Sequence, residues 1–566
     1  MDNKSFNLVT DPWLKVIEIQ SNQERTVSLT ELFENSQNYR QLAGEMHSQD
    51  LAILRLLLAI LTTVYTRFDA TGELYSWLEG ETNKLRVDQE MYDDNGQHDL
   101  LATWKSLHQA GHFSEAVVQY LKQHQARFDF FGEQPFYQAT TEDYDALVPE
   151  NKRVAAGKGQ VSIKQINRRV SESANTPAIF APKSGEAKNE IQLDELVRWV
   201  IAYQNFTGVT DKTKVVTAEK FSNPAGWLYR LNPVFVKGKS LFETLMLNLV
   251  LIDTRKSDAE YVLQRPVWEY PTVHEYVEMR KKQILPDNLA ELYTAWSRLL
   301  HIEWRDSGQP AIFSAGIPMF AADSALIEPM TTWRLDKKTN EYRPALKGLQ
   351  SVGIAMWRNF GQYVKVKQAD DIHEPGMVIW LRKLKKEHLI ARNAPLILNS
   401  IALISDGNAT SQSPAVELID DMQLQADVLF DPEIADYWPT RIEGVIEQTQ
   451  TVGKDYYHFA SDIATIRNVE TRPFASALSA KFYDRLNEPF KQWLAGLTGE
   501  DDRDEKINLW KDQLKEITTQ AVADVMQSPS PRDIKGISGE KGLLNIFTAK
   551  NRLMFNLRTH LDPEKG

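Results

Sequence analysis

Apolar residues recur at helical spacing in three stretches of the first half of the chain, residues 51–68, 100–127 and 193–203. This period predicts helices with an apolar face. Short apolar runs bounded by Pro and Gly are spread between residues 176 and 316, and they favour β-strands. The runs read PAIFAP, NPVFVKG, HIEW and PAIFSAG. The first three-quarters of the chain is therefore predicted to mix helices and strands.

A Pro-Trp pair interrupts the apolar pattern near the start of the chain, in FNLVTDPWLKV at residues 6–16. The apolar runs on either side of Asp11 and Pro12 predict two short strands, because proline there favours a turn and excludes a helix. Trp13, at the start of the second run, is expected to be buried. The pattern predicts a β-hairpin that opens a domain.

From about residue 431 the pattern changes to helix alone. Four amphipathic stretches follow one another, and breaks rich in Gly, Pro or Ser separate them. The stretches are residues 432–455, 473–497, 503–526 and 540–561. We predict an α+β fold, with a large mixed α/β domain over residues 1–430 and a four-helix bundle over residues 431–566.

The composition is that of a globular protein with two or three domains, because 566 residues exceed what one core holds. The longest apolar stretch, residues 51–65, is shorter than the roughly 20 residues of a membrane-spanning helix and contains Arg55. It is predicted to be a buried core helix. The N-terminal residues lack the pattern of a secretion signal, so we expect a cytoplasmic protein with no membrane partner.

Residues suited to catalysis are few. The absence of Cys excludes disulfides, thiolate nucleophiles and Cys-based zinc sites. His108 and His112 have the four-residue spacing of a metal pair on a helix, and solvated or capping histidines are the alternative. Against a metal, Gln109 stands where a zinc hydrolase carries its Glu, and Gly111 weakens the helix. We expect no catalytic residue, no metal and no cofactor.

A metal-dependent nuclease or hydrolase acting on nucleic acid is the alternative function. It would need Asp, Glu and His side chains that converge from several elements. Asp406, Asp420 and Asp421 are candidates, but they show no recurring metal-ligand spacing.

Positive charge is concentrated in two tracts of an acidic chain. The formal net charge is −12, yet residues 151–240 contain 15 Lys or Arg against 7 Asp or Glu, and residues 342–392 contain 10 against 4. Such surpluses are typical of a groove that follows phosphates, because each neutralised phosphate releases counterions. Two solvated faces are the alternative that charge alone leaves open.

Two loops in the first tract combine features of a binding surface. Residues 175–188 hold two prolines and two lysines around Ile179 and Phe180. Residues 205–214 place Gly208 among Thr and Lys, where backbone amides can approach a phosphate or a base edge.

A third loop, SDGNATSQSP at residues 405–414, is a dense polar turn. Its Pro414 suits the first turn of a helix, which we expect to begin near Ala415. A helix N-cap and connector is the alternative role for this loop.

Four groups of segments carry a family resemblance. They are FNLVTDPWLKV, FFGEQPFYQ, NPVFVKGKSLFETLMLNLV with QRPVWEYP, and AKNRLMFNLRTHL near the end of the chain. In this order they resemble the CasA family, the large subunit of the type I-E CRISPR surveillance complex Cascade. Each motif is moderately specific, whereas their order along nearly the whole chain is highly specific.

The resemblance implies a non-catalytic subunit of an antiviral ribonucleoprotein complex. Its N-terminal domain would recognise the protospacer-adjacent motif (PAM) of double-stranded DNA through the minor groove and start duplex opening for R-loop formation, while the guide RNA reads the sequence. A C-terminal bundle would close the assembly. The implied partners are the guide RNA (crRNA) ribonucleoprotein with its backbone, handle-binding and small subunits, the target DNA, and a helicase-nuclease effector that the chain helps to recruit.

The resemblance also implies roles for two of the loops at the guide and the first base pairs. The loop that docks near the 5′ handle of the guide and the PAM would present Ile179, Phe180 and Lys183. The wedge that parts the first base pairs would be Gln412, flanked by Ser411 and Ser413. Such a wedge costs unstacking energy, which nearby phosphate contacts must offset.

The remaining loop would stand at the minor groove of the PAM. Its residues would be Thr207, Gly208 and Thr210, with Lys212 and Lys214 on neighbouring phosphates. Because the minor groove presents a degenerate pattern, amides and small polar groups there would tolerate several related PAMs.

The chain departs from the family in three respects. The family's lysine finger has no counterpart in residues 310–330, which contain no Lys. Either Lys347 or Arg334 substitutes for it, or the chain reads a different PAM. Gly208 stands alone where relatives have several glycines, and without Cys a structural zinc is not expected.

Overall fold

The computed structural model divides the chain into two compact units. It describes residues 5–80, 84–92, 94–166, 190–208, 213–222, 225–253, 260–305, 308–364, 366, 372–405, 414–431, 437–539 and 542–562. The first unit comprises Met1–Val352, Asp371–Leu381 and Asn399–Ile419, and the second comprises Gly353–Asp370, Arg382–Leu398 and Asp420–Gly566. Some segments before residue 431 therefore group with the C-terminal helices. The domain boundary at residue 430 stays a prediction.

Helices form most of the secondary structure in the described residues. Those before residue 353 are α1 (Leu29–Asn35), α2 (His47–Arg67), α3 (Asp94–Ala110), α4 (Glu115–Gln123), α5 (Thr141–Leu147), α6 (Ile163–Ile166), α7 (Leu193–Phe206), α8 (Leu241–Asn248), α9 (Val273–Lys281) and α10 (Leu289–Thr294). Those after it are α11 (Phe360–Tyr363), α12 (Gly376–Lys386), α13 (Ala426–Leu429), α14 (Trp438–Arg467), α15 (Thr471–Ala495), α16 (Arg503–Met526), α17 (Pro531–Lys535) and α18 (Ile546–Leu561). The predicted helix over 100–127 is two helices, because Gly111 with φ +73° ends α3.

The strands form several small sheets. They are β1 (Leu14–Glu18), β2 (Glu24–Val27), β3 (Tyr39–Leu42), β4 (Leu78–Glu79), β5 (Arg86–Val87), β6 (Gln160–Val161), β7 (Val234–Lys237), β8 (Arg298–Trp304), β9 (Pro310–Gly316), β10 (Trp333–Asp336), β11 (Glu341–Pro344), β12 (Ile372–His373), β13 (Pro395–Ser405), β14 (Pro414–Gln425), β15 (Ile537–Gly539) and β16 (Gly542–Leu544). The three-stranded sheets have the orders β2-β1-β3, β6-β9-β8, β14-β13-β7 and β11-β10-β12. Strands β7, β8 and β9 confirm three of the predicted runs, and PAIFAP lies outside the described residues.

Helix α2 is the core of the first unit. It packs against α7 and α10. By length and composition it could cross a membrane, but 94% of its most apolar 18-residue stretch is buried inside the protein. A helix that is apolar on every side belongs in the core of a large domain. The predicted core helix is therefore confirmed.

The predicted N-terminal hairpin is wrong in its pairing. Residues 6–8 form backbone hydrogen bonds with residues 128–130, whereas β1 pairs with β2 and β3. The Asp11 carboxylate accepts from the Asn7 amide at 2.7 Å, and this tight turn directs the first run away from β1. Trp13 is fully buried as predicted, and its Nε1 donates to a backbone carbonyl at 3.0 Å.

The helix predicted from Ala415 is wrong, because Pro414–Gln425 is strand β14. Met422 and Leu424 are buried, whereas Gln423 between them is half-buried. That alternation has the two-residue period of a strand with one buried face. Strand β14 lies beside β13 in its sheet, so residues 406–413 connect two strands.

The helices α14, α15, α16 and α18 confirm the predicted bundle. Helix α14 packs against the other three, and α16 packs against α15 and α18. In the bundle core, Nε1 of Trp510 donates to the Thr449 hydroxyl at 2.9 Å, and the Trp510 ring meets Phe490 edge-on at 4.8 Å between centroids. Helix α14 runs through Gly453, where a Cβ would lie 2.1 Å from the Tyr483 hydroxyl. The small residue therefore permits close packing.

Asp50 makes the stability of the first unit depend on pH. Its carboxylate accepts from the Gly44 amide at 2.8 Å, and burial, aided by the charges of Glu45 and Glu417, raises the pKa of Asp50 to about 7. The unfolded chain loses this proton near pH 3.8. Between these values the folded state binds more protons, so this group's contribution to stability falls as pH rises towards 7.

We predict that Asp50→Asn has a higher melting temperature than wild type, and that this difference is larger at pH 8 than at pH 5. The asparagine keeps a side-chain oxygen that can accept from the Gly44 amide. Differential scanning fluorimetry across this range checks it, and exposed Asp484→Asn on α15 is the control. A melting-temperature difference that is the same at both pH values would contradict the assignment.

Candidate nucleic-acid interface

Three of the predicted DNA-contacting residues, Thr207, Gly208 and Lys214, lie in the described part of the chain. The others lie outside the described residues, and their roles stay predictions. They are Ile179, Phe180, Lys183, Thr210, Lys212, Ser411, Gln412 and Ser413. The structure describes the scaffold from which two of the predicted loops extend.

Thr207 and Gly208 follow α7 and are buried. The Thr207 amide donates to Tyr203 O at 3.0 Å, and its hydroxyl donates to Gly208 O at 3.2 Å. Nη2 of Arg298, a fully buried residue of β8, donates to the same Gly208 carbonyl at 2.9 Å. The start of the loop is thus fixed to the sheet. The Thr207 hydroxyl points into the protein, and its contact with DNA stays a prediction.

The chain returns to the same place at Gly226. The Gly226 amide donates to Thr207 O at 2.8 Å. A Cβ at Gly226 would lie 2.2 Å from Asn205 O, far inside van der Waals contact. Only glycine permits this approach of two backbone segments. We call residues 208–226 loop A, and Gly208 and Gly226 form its neck.

Lys214 lies in loop A beside the end of β9. The Gly316 amide donates to Thr213 O at 2.9 Å, and the Val215 amide donates to Gly316 O at 3.1 Å. The Lys214 ammonium donates to Phe221 O and lies 5.1 Å from the centroid of the Phe221 ring. A phosphate contact would require this ammonium to leave its partner within the loop. The phosphate role of Lys214 stays a prediction.

The residue after the neck, Trp227, connects loop A to a second loop, loop B (residues 317–330). Nε1 of Trp227 donates to Glu328 Oε2 at 2.6 Å. Glu328 also pairs with Arg55 of α2 through two hydrogen bonds of 2.8 Å, and both side chains are fully buried. We call Arg55, Trp227 and Glu328 the Glu328 anchor. It holds loops A and B on the core helix.

A second buried arginine fixes the start of loop B. Arg280 of α9 donates to Pro318 O at 2.9 Å and to Trp296 O at 2.7 Å. Loop B is therefore held at both ends, and it carries no lysine finger. Arg334 is exposed on β10 and Lys347 is half-buried. Which residue replaces the finger stays open.

Arginines with partners inside the protein account for part of both basic tracts, Arg198 being buried and Arg358 half-buried. Arg198 pairs with Glu45 at 2.7 Å and Asp194 at 2.9 Å. Burial lowers the pKa of Arg198, but these hydrogen bonds and charges outweigh it and raise the pKa overall. Arg358 lies 3.5 Å from the centroid of the Tyr483 ring, and burial lowers its pKa. Counting charges along the sequence therefore overstates the surface available to phosphates.

The two histidines spaced like a metal pair do not share a helix. His108 stacks on Trp104 in α3 at 4.8 Å, and burial lowers the pKa of His108. His112 follows the helix end, and its Nδ1 contacts Phe113 O at 3.0 Å. Among the described residues, no three His, Asp or Glu lie close enough together to hold a metal ion.

A mixed α+β unit and a second unit that contains a helical bundle define a large α+β protein of two units. The family model of the CRISPR-associated protein Cse1 matches residues 7–521. The chain therefore belongs to the Cse1 family, whose Thermus thermophilus member is also called CasA. No curated protein sequence matches the chain significantly.

Several solved structures share the fold over nearly their whole length. Cse1 of Thermobifida fusca is 20% identical, with 99% of this chain and 98% of that chain covered and a TM-score of 0.75. Cse1 of Acidimicrobium ferrooxidans is 20% identical, with 100% and 99% covered and a TM-score of 0.73. A chain of a CRISPR RNA-guided surveillance complex is 14% identical, with 98% and 99% covered and a TM-score of 0.64. At these identities the likeness establishes the fold.

We predict that Glu328→Gln destabilises the first unit by about 3–5 kcal/mol, because it leaves the Arg55 cation buried without its counter-ion. Urea unfolding followed by Trp fluorescence measures the loss. Hydrogen exchange of the amides at residues 213–222 should accelerate, since the hydrogen bond from Trp227 to a neutral amide oxygen is weaker than its bond to the carboxylate. Glu278→Gln is the control. Glu278 pairs with Lys281, but its side chain is 61% exposed, so this surface pair should contribute at most about 1 kcal/mol to the free energy of unfolding. Equal losses for the two variants would refute the anchor.

Proposed function

We propose that this chain is the large, non-catalytic subunit of an RNA-guided antiviral surveillance complex in the cytoplasm. Membership of the Cse1 family carries the proposal. A fold match along 98% of the chain to a subunit of such a complex supports it. The partners are the guide RNA with its backbone, handle-binding and small subunits, the double-stranded target DNA and a helicase-nuclease effector. The second unit, with its bundle, contacts the small subunits.

Within that complex, loop A approaches the minor groove of the PAM. The fixed neck at Gly208 and Gly226 supports this role, because a loop held at its base presents its tip with little loss of conformational entropy on binding. Thr207 is buried and supports the neck, and we assign the groove contact to Thr210 and the neighbouring phosphate contact to Lys212. Backbone amides and small hydroxyls suit a groove whose pattern is degenerate.

The salt dependence of DNA binding tests the groove. In the reconstituted complex, the double variant Lys212→Glu and Lys214→Glu should weaken binding to a PAM duplex. The slope of log K against log salt should fall by about one unit or slightly less for each phosphate that the variant no longer neutralises. Lys105→Glu, at an exposed position of α3 outside both basic tracts, should leave the slope unchanged. A double variant with the wild-type slope would show that loop A does not bind phosphate.

Duplex opening is assigned to Gln412 in the segment that connects β13 and β14. The base of that segment is supported by the core, because Glu417 of β14 accepts from the Ser48 amide at the start of α2 at 2.6 Å. A glutamine amide can hydrogen-bond to the base edges that become exposed when the first base pairs separate. The proposed wedge thus precedes strand β14 and not the helix that the sequence predicts after Pro414.

Gln412→Ala should leave binding to PAM duplex nearly unchanged and slow R-loop formation, and a pre-opened bubble beside the PAM should restore the rate. Permanganate footprinting on paired and bubbled DNA measures this. Gln520→Ala on α16 is the control. Without the helicase-nuclease, the DNA should remain uncut in Mg²⁺ or Mn²⁺. Wild-type kinetics on paired DNA, or no rescue by the bubble, would assign the wedge to another residue, and cleavage would support the nuclease alternative.

A further inference from the structure

A cavity of about 380 Å³ lies in the first unit between the end of α4 and the segment that precedes α9. It is distinct from loops A and B, since none of their described residues lines it. Its lining includes three arginines, Arg67, Arg127 and Arg265, together with His124 and Trp268. The volume is in the usual range of small-molecule sites.

The floor of this cavity is a buried ion pair. Arg67 donates to Glu269 at 3.0 Å through Nη1 and 2.7 Å through Nη2, and the Tyr120 hydroxyl donates to Glu269 at 2.6 Å. Both oxygens of the one carboxylate that lines the cavity are thereby occupied. The Arg67 side chain is 1% exposed, and its Nε has no hydrogen-bond partner among the described residues. The floor therefore retains an unsatisfied donor.

Two further arginines at the cavity have no carboxylate partner among the described residues. Arg127 makes one long bond, from Nη2 to Pro271 O at 3.3 Å, and burial lowers the pKa of Arg127 without an opposing charge. Arg265 is exposed. We do not count His124 as a cation. Burial lowers the pKa of its imidazole, although the Glu269 carboxylate, 3.9 Å away, favours the charged form. The one carboxylate is neutralised by Arg67, so the cavity has a surplus of two cations.

We propose that this cavity binds the phosphate of a nucleotide, either free or at the end of a nucleic acid, through Arg127 and Arg265. The guanidinium group presents paired donors that match phosphate oxygens. Trp268 gives the cavity an apolar wall, and Arg67 with Glu269 forms a neutral floor. Arg127 is half-buried and has no carboxylate partner among the described residues, and a bound phosphate would supply its counter-charge.

Isothermal titration calorimetry on the full-length chain tests this site. The probes are adenosine 5′-monophosphate, adenosine, and a short oligonucleotide with and without a 5′-phosphate. We expect binding of a phosphorylated probe and at least about tenfold weaker binding of its unphosphorylated counterpart, as loss of charge-assisted hydrogen bonds implies. Binding of the monophosphate identifies a free nucleotide as a ligand, and binding of the oligonucleotide alone identifies a nucleic-acid end.

The double variant Arg127→Gln and Arg265→Gln should weaken binding of the phosphorylated probe by about tenfold or more, with a melting temperature equal to that of wild type. Arg472→Gln, the same change at an exposed position of α15, should bind as wild type does. Affinity that is independent of the phosphate, or unchanged in the double variant, would overturn the proposal.

Discussion

The buried pair of Arg55 and Glu328 is the interaction on which the arrangement of the first unit depends. Arg55 is fully buried in the most apolar stretch of the core helix, where an unpaired cation would be costly. Glu328 offsets that cost only if loop B holds it in place, and Trp227 then attaches the end of loop A to the same carboxylate. The geometry of both loops is thereby set by the need to satisfy one buried charge.

Buried arginines also hold segments together at other positions of this chain, which contains no cysteine. Arg67, Arg198, Arg280 and Arg298 are each buried and each donate to at least one backbone carbonyl. A guanidinium has five donors in a fixed planar arrangement, so one side chain can tie several loops together. These arginines crosslink the irregular segments that link the small sheets. They do so reversibly and without redox chemistry.

The fold was predictable where one period dominates the sequence. The core helix and the four C-terminal helices could be predicted from the spacing of apolar residues alone. A helix that is buried on one face or on all faces needs apolar residues at the corresponding positions. The segment after Pro414 was mispredicted, because Ala415, Leu418, Ile419 and Met422 also recur at helical spacing. Only pairing with β13 decides between the two, and pairing is a long-range property. The N-terminal hairpin failed for the same reason, because residues 6–8 pair with a segment more than a hundred positions away.

The candidate site was predictable only in part. The isolated Arg55 in an apolar stretch was a visible sign of a buried pair, but nothing local identifies Glu328 as its partner. Counting cations failed to separate Arg198, which is structural, from lysines on the surface, because the two look alike until tertiary contacts are known. Residue types indicate that a loop could meet a phosphate. They do not show which cations the fold has already used.

The attachment points of loop A leave parts of that loop exchangeable. Its two ends meet where Gly226 touches the backbone of Asn205, and between them residues 213–216 are hydrogen-bonded to the end of β9 and to the end of α5. The entropic cost of closing a loop grows only slowly with its length. Sequences of different length and composition can therefore be inserted on either side of residues 213–216 while the core stays unchanged. With such an arrangement a recognition surface can diversify while the stability of the protein that carries it is preserved.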